Sequence, residues 1–302
     1  MKTNRHFDFF INKSLKDFCT FKIGGDAKYL FVAKTTKGLK KSVVWCLKNN
    51  VKFKVIGCGA NLLFDDAGFN GTIIVNKTAK VKIRHHSIIA DSGLTISELI
   101  AKAKQKNLSG LENFALIPSS VGGAVINNLG AWGCEIAGLI KSVKGFFKSN
   151  VRRTKCFKSN QCDFGYRTSV FKTKQFKNKA DVEDEFIITK VKFNLKKSSL
   201  SVIDEAIKSA ITKKTSTQPT DLPSAGSIFL RTSVIPAKLI DEAGLKGLRV
   251  GEAEISKKHS GFIVNLGNAS SRDVKLLINL IQNEIYARYS ATLTPEIEIV
   301  DF

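Results

Sequence analysis

The chain has 302 residues, 43% of them hydrophobic and 9% aromatic, and a formal net charge of +22 at pH 7. That apolar content excludes a disordered chain, and the length predicts two or three subdomains rather than one core. The positive charge is spread along the sequence, mostly as lysine, with no arginine-rich tail and no interleaved aromatic platform. A lysine-biased surface explains it more simply than a nucleic-acid or membrane partner, and neither partner is expected.

The opening segment, "MKTNRHFDFFINKSLKDF", lacks an apolar core of signal-peptide length, and no later segment reads as a transmembrane helix. A soluble, cytoplasmic protein is expected. Its six cysteines (Cys19, Cys46, Cys58, Cys134, Cys156, Cys162) form no C-x-x-C pair, and its four histidines show no metal spacing. They are expected to be free, mostly buried thiols in a reducing compartment, with no metal bound and His85-His86 at a strand edge or turn.

"GLKKSVVWCLKNN" reads as the first helix, and "FKVIGCGANLLFDDAGFNGTIIVN" then alternates strand-like runs with glycine turns. In "LTISELIAKAKQKNLSG", Thr95 and Glu98 make a capping box ahead of an apolar stripe of Ile96, Leu99, Ile100 and Ala103, which predicts a second helix. Val143 to Leu195 alternates strand-like runs with basic turns. "SLSVIDEAIKSAITKKT" is another helix, and Gln218–Pro223 is a loop. "SRDVKLLINLIQNEIYARY" is a final helix with Val274, Leu277, Ile278, Ile281 and Ile285 on one face, before a terminal strand in "PEIEIVDF". Strands and helices without regular alternation predict an α+β fold.

Two glycine-bearing stretches stand apart. Gly57-Cys58-Gly59 follows the strand-like "KFKVI", but Leu62 stands where a third glycine of a dinucleotide fingerprint belongs, and a strand rather than a helix comes next. The stretch is therefore not a Rossmann loop; it reads as a structural turn or as an anion-binding nest formed by the N–H groups of Gly59, Ala60 and Asn61. The second, Pro118-Ser119-Ser120-Val121-Gly122-Gly123-Ala124, lies in a run from Asn113 to Cys134 that contains no charged residue, between Glu112 and Glu135. Proline, glycines and polar residues exclude a membrane span there, and small residues point to close backbone approach. Two separated loops of small residues and hydroxyls suggest one extended ligand, and a diphosphate-containing cofactor has that shape.

The motifs "TFKIGG", "GCGANLL", "LSGLENFALIPSSVGGAVINNLGAWGCE", "FGYRTSVFK", "SAGSIF", "KLIDEAGLKGLRVGEAEISKKHSGFIVN" and "TPEIEIV" occur in this order. From about Phe18 to the C-terminus they resemble the UDP-N-acetylenolpyruvoylglucosamine reductase (MurB) family, in its shorter form without an inserted tyrosine loop. The resemblance implies an α+β fold with a two-subdomain FAD-binding unit of the vanillyl-alcohol-oxidase (PCMH) type over 18–195, split near 65–75. A substrate-binding domain would follow over 196–302. It also implies FAD and NADPH as cofactors, a UDP-sugar substrate, peptidoglycan precursor synthesis, and a monomer.

Residue by residue, Gly57, Gly59, Ala60 and Asn61 match the family's first flavin loop, and Pro118, Ser119, Ser120, Gly122, Gly123 and Asn128 its second. The neutral run would then be a wall against the flavin and its diphosphate. Arg167, Ser227 and Glu296 match the catalytic set, though singly they would read as a surface cation, a turn hydroxyl and a strand residue facing solvent. The family precedent is ping-pong: NADPH reduces FAD and leaves, and the enolpyruvyl substrate takes its place. Arg167, with a protonated Glu296, would stabilise charge developing on the substrate carboxylate, and Ser227 would donate a proton. The chain departs from the pattern at Cys58, Ala60, Ser119 and Ser120, all small, and at Leu230, Arg231 and Thr232, where the family offers Lys-Asn-Pro. Glu298 also replaces a frequent arginine. The competing enzyme reading, another flavin oxidase on the same scaffold, would share the glycine loops but not "SAGS" and "PEI".

Overall fold

The computed structural model describes residues 2–3, 5–172 and 184–301. The chain forms two compact units, each assembled from separate segments: Met1–Phe10, Leu30–Cys58 and Thr72–Thr212 in the first; Ile11–Tyr29, Gly59–Gly71 and Lys213–Phe302 in the second.

In the first unit, helix α1 (Thr36–Lys48) is capped by the Thr35 hydroxyl, which accepts from the Gly38 N–H. It buries Leu39, Val43 and Cys46 against Phe31, Ala33, Phe53 and Ile74 of a five-stranded sheet. In that sheet Phe53–Ile56 runs parallel to Phe69–Asn76. A second five-stranded sheet, ordered Asn150–Lys158, Ile140–Phe147, Phe186–Asn194, Ser87–Asp91 and Val81–Arg84, is antiparallel throughout. Helix α2 (Ile96–Lys104) has the expected capping box at Thr95 and Glu98 and buries the expected stripe of Ile96, Leu99, Ile100 and Ala103. With α3 (Val121–Ile126) it joins a core that includes Ile88, Val143, Val191 and Phe193. His85 and His86 form the exposed turn between Val81–Arg84 and Ser87–Asp91, as expected.

Helix α4 (Leu200–Thr217) leads into the second unit. There an antiparallel sheet of four strands, ordered Ser224–Ser227, Phe262–Asn265, Ala253–Ile255 and Arg249–Val250, lies with α5 (Pro236–Glu242) and α6 (Ser271–Tyr289). Helix α6 buries Val274, Leu277, Ile278, Ile281 and Ile285, the face read from the sequence. Leu62–Phe64 pairs in parallel with Glu298–Val300, Leu62 opposite Glu298.

The thiols are free, but only Cys19, Cys46 and Cys162 are buried; Cys134 and Cys156 are exposed, which corrects the expectation of mostly buried cysteines. Cys156 lies on the edge strand Asn150–Lys158, at the end of an exposed run from Arg152 to Cys156. Among the described residues no helix is long and apolar enough to cross a membrane, and no cluster of potential metal ligands occurs.

Candidate active site

The first unit brings Gly57 against the second loop. A Cβ on Gly57 would stand 2.0 Å from Ser120 Oγ, so only glycine lets these two segments touch. Ser120 caps α3 by accepting the Gly123 N–H at 3.2 Å. The stretch read as a loop through Ala124 is therefore helical from Val121, despite Gly122 and Gly123. Tertiary bonds explain it: the Val121 N–H donates to Leu94 O at 2.8 Å and the Gly122 N–H to Ser92 O at 2.7 Å. Ser92 is held in turn by a buried relay, accepting from Asn76 Nδ2 at 2.8 Å and donating to Ile188 O at 2.6 Å. Much of the run's neutrality is core packing, because Phe114, Val121, Ala124 and Val125 are buried. Pro118 is exposed and Ser119 half-buried at its rim.

Asn128, in the left-handed region (φ 40°), is fully buried and its amide is occupied by protein groups. It donates to Glu135 Oε2 at 2.8 Å and Gly165 O at 2.9 Å, and its Oδ1 accepts the Ala137 N–H at 3.2 Å. These bonds tie the end of α3 to the turn that carries Arg167. Gly165 and Thr168 exchange both backbone bonds at 3.2 Å, which leaves Arg167 at the tip with φ 55°. Its Nη1 donates to Gly130 O at 3.3 Å, and Ser169 Oγ anchors the turn to Ile126 O at 2.8 Å. Arg167 is half-buried and pinned. Glu135 and Ser169, to which the sequence reading gave no site role, do part of the pinning; their only signal was that both lie within the motifs that carry the resemblance.

In the second unit, Gly59 (φ 64°) turns the chain where a Cβ would stand 2.3 Å from Phe18 O. Among the described residues, the N–H groups of Ala60 and Asn61 donate to no protein acceptor. The Asn61 side chain instead donates to Glu296 O at 3.0 Å, and Asn61 O accepts the Glu298 N–H at 2.9 Å. The Glu296 N–H donates to Ile228 O at 2.7 Å, which sets Glu296 beside the strand that ends in Ser227. A bulge between Ser224 and Ser227, with Gly226 at φ 81°, re-aims that strand end. The Ser227 hydroxyl is half-buried and makes no protein hydrogen bond among the described residues. Arg231 is exposed.

The chemistry of the two loops fits an anionic dinucleotide. Neither Gly57–Asn61 nor Pro118–Gly123 contains a carboxylate, and both offer backbone N–H groups or hydroxyls. Burial pushes the Cys58 thiol up, against the pull of Lys77, so the first loop gains no thiolate near neutral pH. Gly57 and Gly122 serve loop-to-loop contact rather than opening space, since a Cβ on Gly122 would meet Ser92 at 3.1 Å.

The C-terminal-domain model of UDP-N-acetylenolpyruvoylglucosamine reductase matches residues 218–300, and an FAD binding domain model matches residues 27–144. The reductase of Carboxydothermus hydrogenoformans is 39% identical over 96% of this chain and 93% of its own length. That of Clostridium botulinum strain Hall is 35% identical over 96% of this chain and 92% of its own. This chain belongs to the UDP-N-acetylenolpyruvoylglucosamine reductase family. The crystal structure of the Thermus caldophilus family member superimposes with a TM-score of 0.78 at 29% identity, covering 98% of this chain and 99% of that one. As a member of the family the chain is an FAD-containing oxidoreductase, and its α+β fold joins an FAD-binding unit to the family's C-terminal domain.

Proposed function

We propose that this protein reduces UDP-N-acetylenolpyruvoylglucosamine to UDP-N-acetylmuramate, with NADPH as reductant, as a cytoplasmic step in making peptidoglycan precursors. The observation that carries the reading is the pairing of Ser227 and Glu296. An unbonded hydroxyl and a carboxylate-bearing residue meet on adjacent backbone, joined by the 2.7 Å bond from Glu296 N to Ile228 O. They meet within the segment matched by the family's C-terminal model.

FAD, when bound, supplies the hydride that no side chain can supply to an enolpyruvyl double bond. Gly57, Gly59, Ala60 and Asn61 would hold it through backbone N–H groups, and the Pro118–Gly123 stretch through the Ser119 and Ser120 hydroxyls. The N–H groups of Val121, Gly122 and Gly123 are bonded within the protein, while Asn128 fixes the loop from behind. Negative charge develops on the substrate carboxylate as the terminal vinyl carbon gains hydride. Arg167, whose guanidinium suits a planar carboxylate, stabilises that charge together with a protonated Glu296. Ser227 then gives its proton to the carbon beside the carboxylate. An alcohol is a weak acid, but the strongly basic enolate makes it a workable donor.

Replacing Ser227 with alanine tests this. The variant should hold FAD and be bleached by NADPH near the wild-type rate, while reoxidation by the enolpyruvyl substrate slows by about 10²–10⁴-fold or more. Stopped-flow absorbance of the two half-reactions separates the outcomes. Equal slowing of both would make Ser227 a pocket-shaping residue and remove it from proton transfer.

A further inference from the structure

Asn61 sits in the first flavin loop, yet its side chain turns toward the strand that carries Glu296. Its Nδ2 donates to Glu296 O at 3.0 Å across 235 positions of sequence. Its own carbonyl accepts the Glu298 N–H at 2.9 Å, so Asn61 brackets the Glu296–Glu298 segment. Only the NH₂ end of the amide can face a carbonyl, so chemistry alone fixes the orientation of the Asn61 side chain. On its other edge Glu296 is held by the 2.7 Å bond from its N–H to Ile228 O, one residue beyond Ser227. Both polar atoms of the Glu296 peptide are therefore committed, one toward the proton-donor strand and one toward the flavin loop. Immediately downstream, Leu62–Phe64 pairs with Glu298–Val300, which continues the clamp into regular ladder.

We propose that Asn61 is a positioning residue for Glu296: its side-chain amide fixes the Glu296 peptide, and so ties the place of the carboxyl group to the flavin loop. This rests on the role given to Glu296 above. An aspartate at 61 would keep the shape but turn an acceptor toward the Glu296 carbonyl, so loss of the donor, rather than loss of bulk, is what matters. The residue would act chiefly on the half-reaction that uses Glu296, because misplacing a reacting group by about 1 Å costs on the order of 10²-fold.

The test uses FAD-loaded protein and the variants Asn61→Asp, Asn61→Ala, Glu296→Ala and Asn61→Ala/Glu296→Ala. Retained FAD is read from the ratio of flavin to protein absorbance, and hydrogen exchange is followed over residues 295–300. Both Asn61 variants are expected to exchange faster over that segment, and, compared per bound FAD, to lose much less in flavin reduction by NADPH than in reoxidation. Reoxidation by the enolpyruvyl substrate should slow by about 10- to 100-fold. Asn61→Asp should be at least as impaired as Asn61→Ala, and the double variant no slower than Glu296→Ala alone, as expected of residues that act as one unit. Wild-type exchange or reoxidation in Asn61→Asp would overturn the proposal, as would losses that multiply in the double variant or an equal slowing of flavin reduction. A Glu296→Ala enzyme that reoxidises at the wild-type rate would instead remove Glu296 from the reaction, whatever Asn61→Asp does to exchange.

Discussion

Arg167 holds a left-handed backbone (φ 55°) at a turn fixed by Gly165, Thr168, Asn128 and Ser169. Lysine can occupy the same backbone, so Arg167→Lys changes the side chain with little change to the scaffold. It keeps the charge and loses the planar fork. Substrate reduction should fall on the order of 10²-fold with flavin reduction by NADPH nearly unchanged, a split that single-turnover kinetics will show. Asp91 makes a different claim at the same scale. Burial raises its carboxyl pKa, offset in part by the Lys80 N–H and the charges of Lys190 and Lys80. Its Oδ1 is buried without a hydrogen-bond partner. A folded pKa above the unfolded one means the native state binds the extra proton. This contribution is therefore fully present below the unfolded pKa and is lost as pH rises through the folded one. Asp91→Asn should remove that loss: thermal unfolding midpoints of the variant and the wild type should diverge in the variant's favour as pH rises above the ordinary carboxylate value of 3.8. Parallel curves would show that Asp91 carries no such cost.

Helix α6 shows how an element depends on residues far from it. Four N–H groups at a helix start have no intrahelical partner. Here Ser270 Oγ accepts the Asp273 N–H at 3.1 Å, as a capping box should, and Asp66 takes two more. Asp66 accepts the Ser271 N–H at 2.8 Å and the Arg272 N–H at 3.2 Å. Asp66→Ala should destabilise the protein by about 1–2 kcal/mol, measured by denaturant unfolding, with a comparable loss for Ser270→Ala. A neutral Asp66→Ala would mean that water replaces the carboxylate at no cost. The apolar face of α6 was legible because it is local in sequence. The part played by Asp66 was not, since nothing local links it to a helix some two hundred residues on. The same limit hid α3: Gly122 and Gly123 argue against a helix, and the bonds from Leu94 and Ser92 that override them are tertiary.

At the scale of the whole chain, ordered motifs made the family legible while its division into units stayed hidden. The first unit draws on three separate segments and the second on three more, an arrangement that no composition shift marks. The partners that place the candidate site residues were not legible in the sequence: Asn128 donates to Gly165 O, and Asn61 to the Glu296 carbonyl. The neutral run from Asn113 to Cys134 was read as a wall against a cofactor, and a large share of it is simply the buried core of the first unit. The account as a whole stands on a bound flavin that passes reducing equivalents to an enolpyruvyl sugar nucleotide. The most direct test is the visible absorbance spectrum of the purified protein, followed anaerobically through addition of NADPH and then of UDP-N-acetylenolpyruvoylglucosamine. The prediction is a yellow protein that releases FAD on denaturation, is bleached by NADPH, and regains its oxidised spectrum when the sugar nucleotide is added. A colourless protein that also refuses added FAD, or a bleached one that the sugar nucleotide leaves bleached, would contradict it.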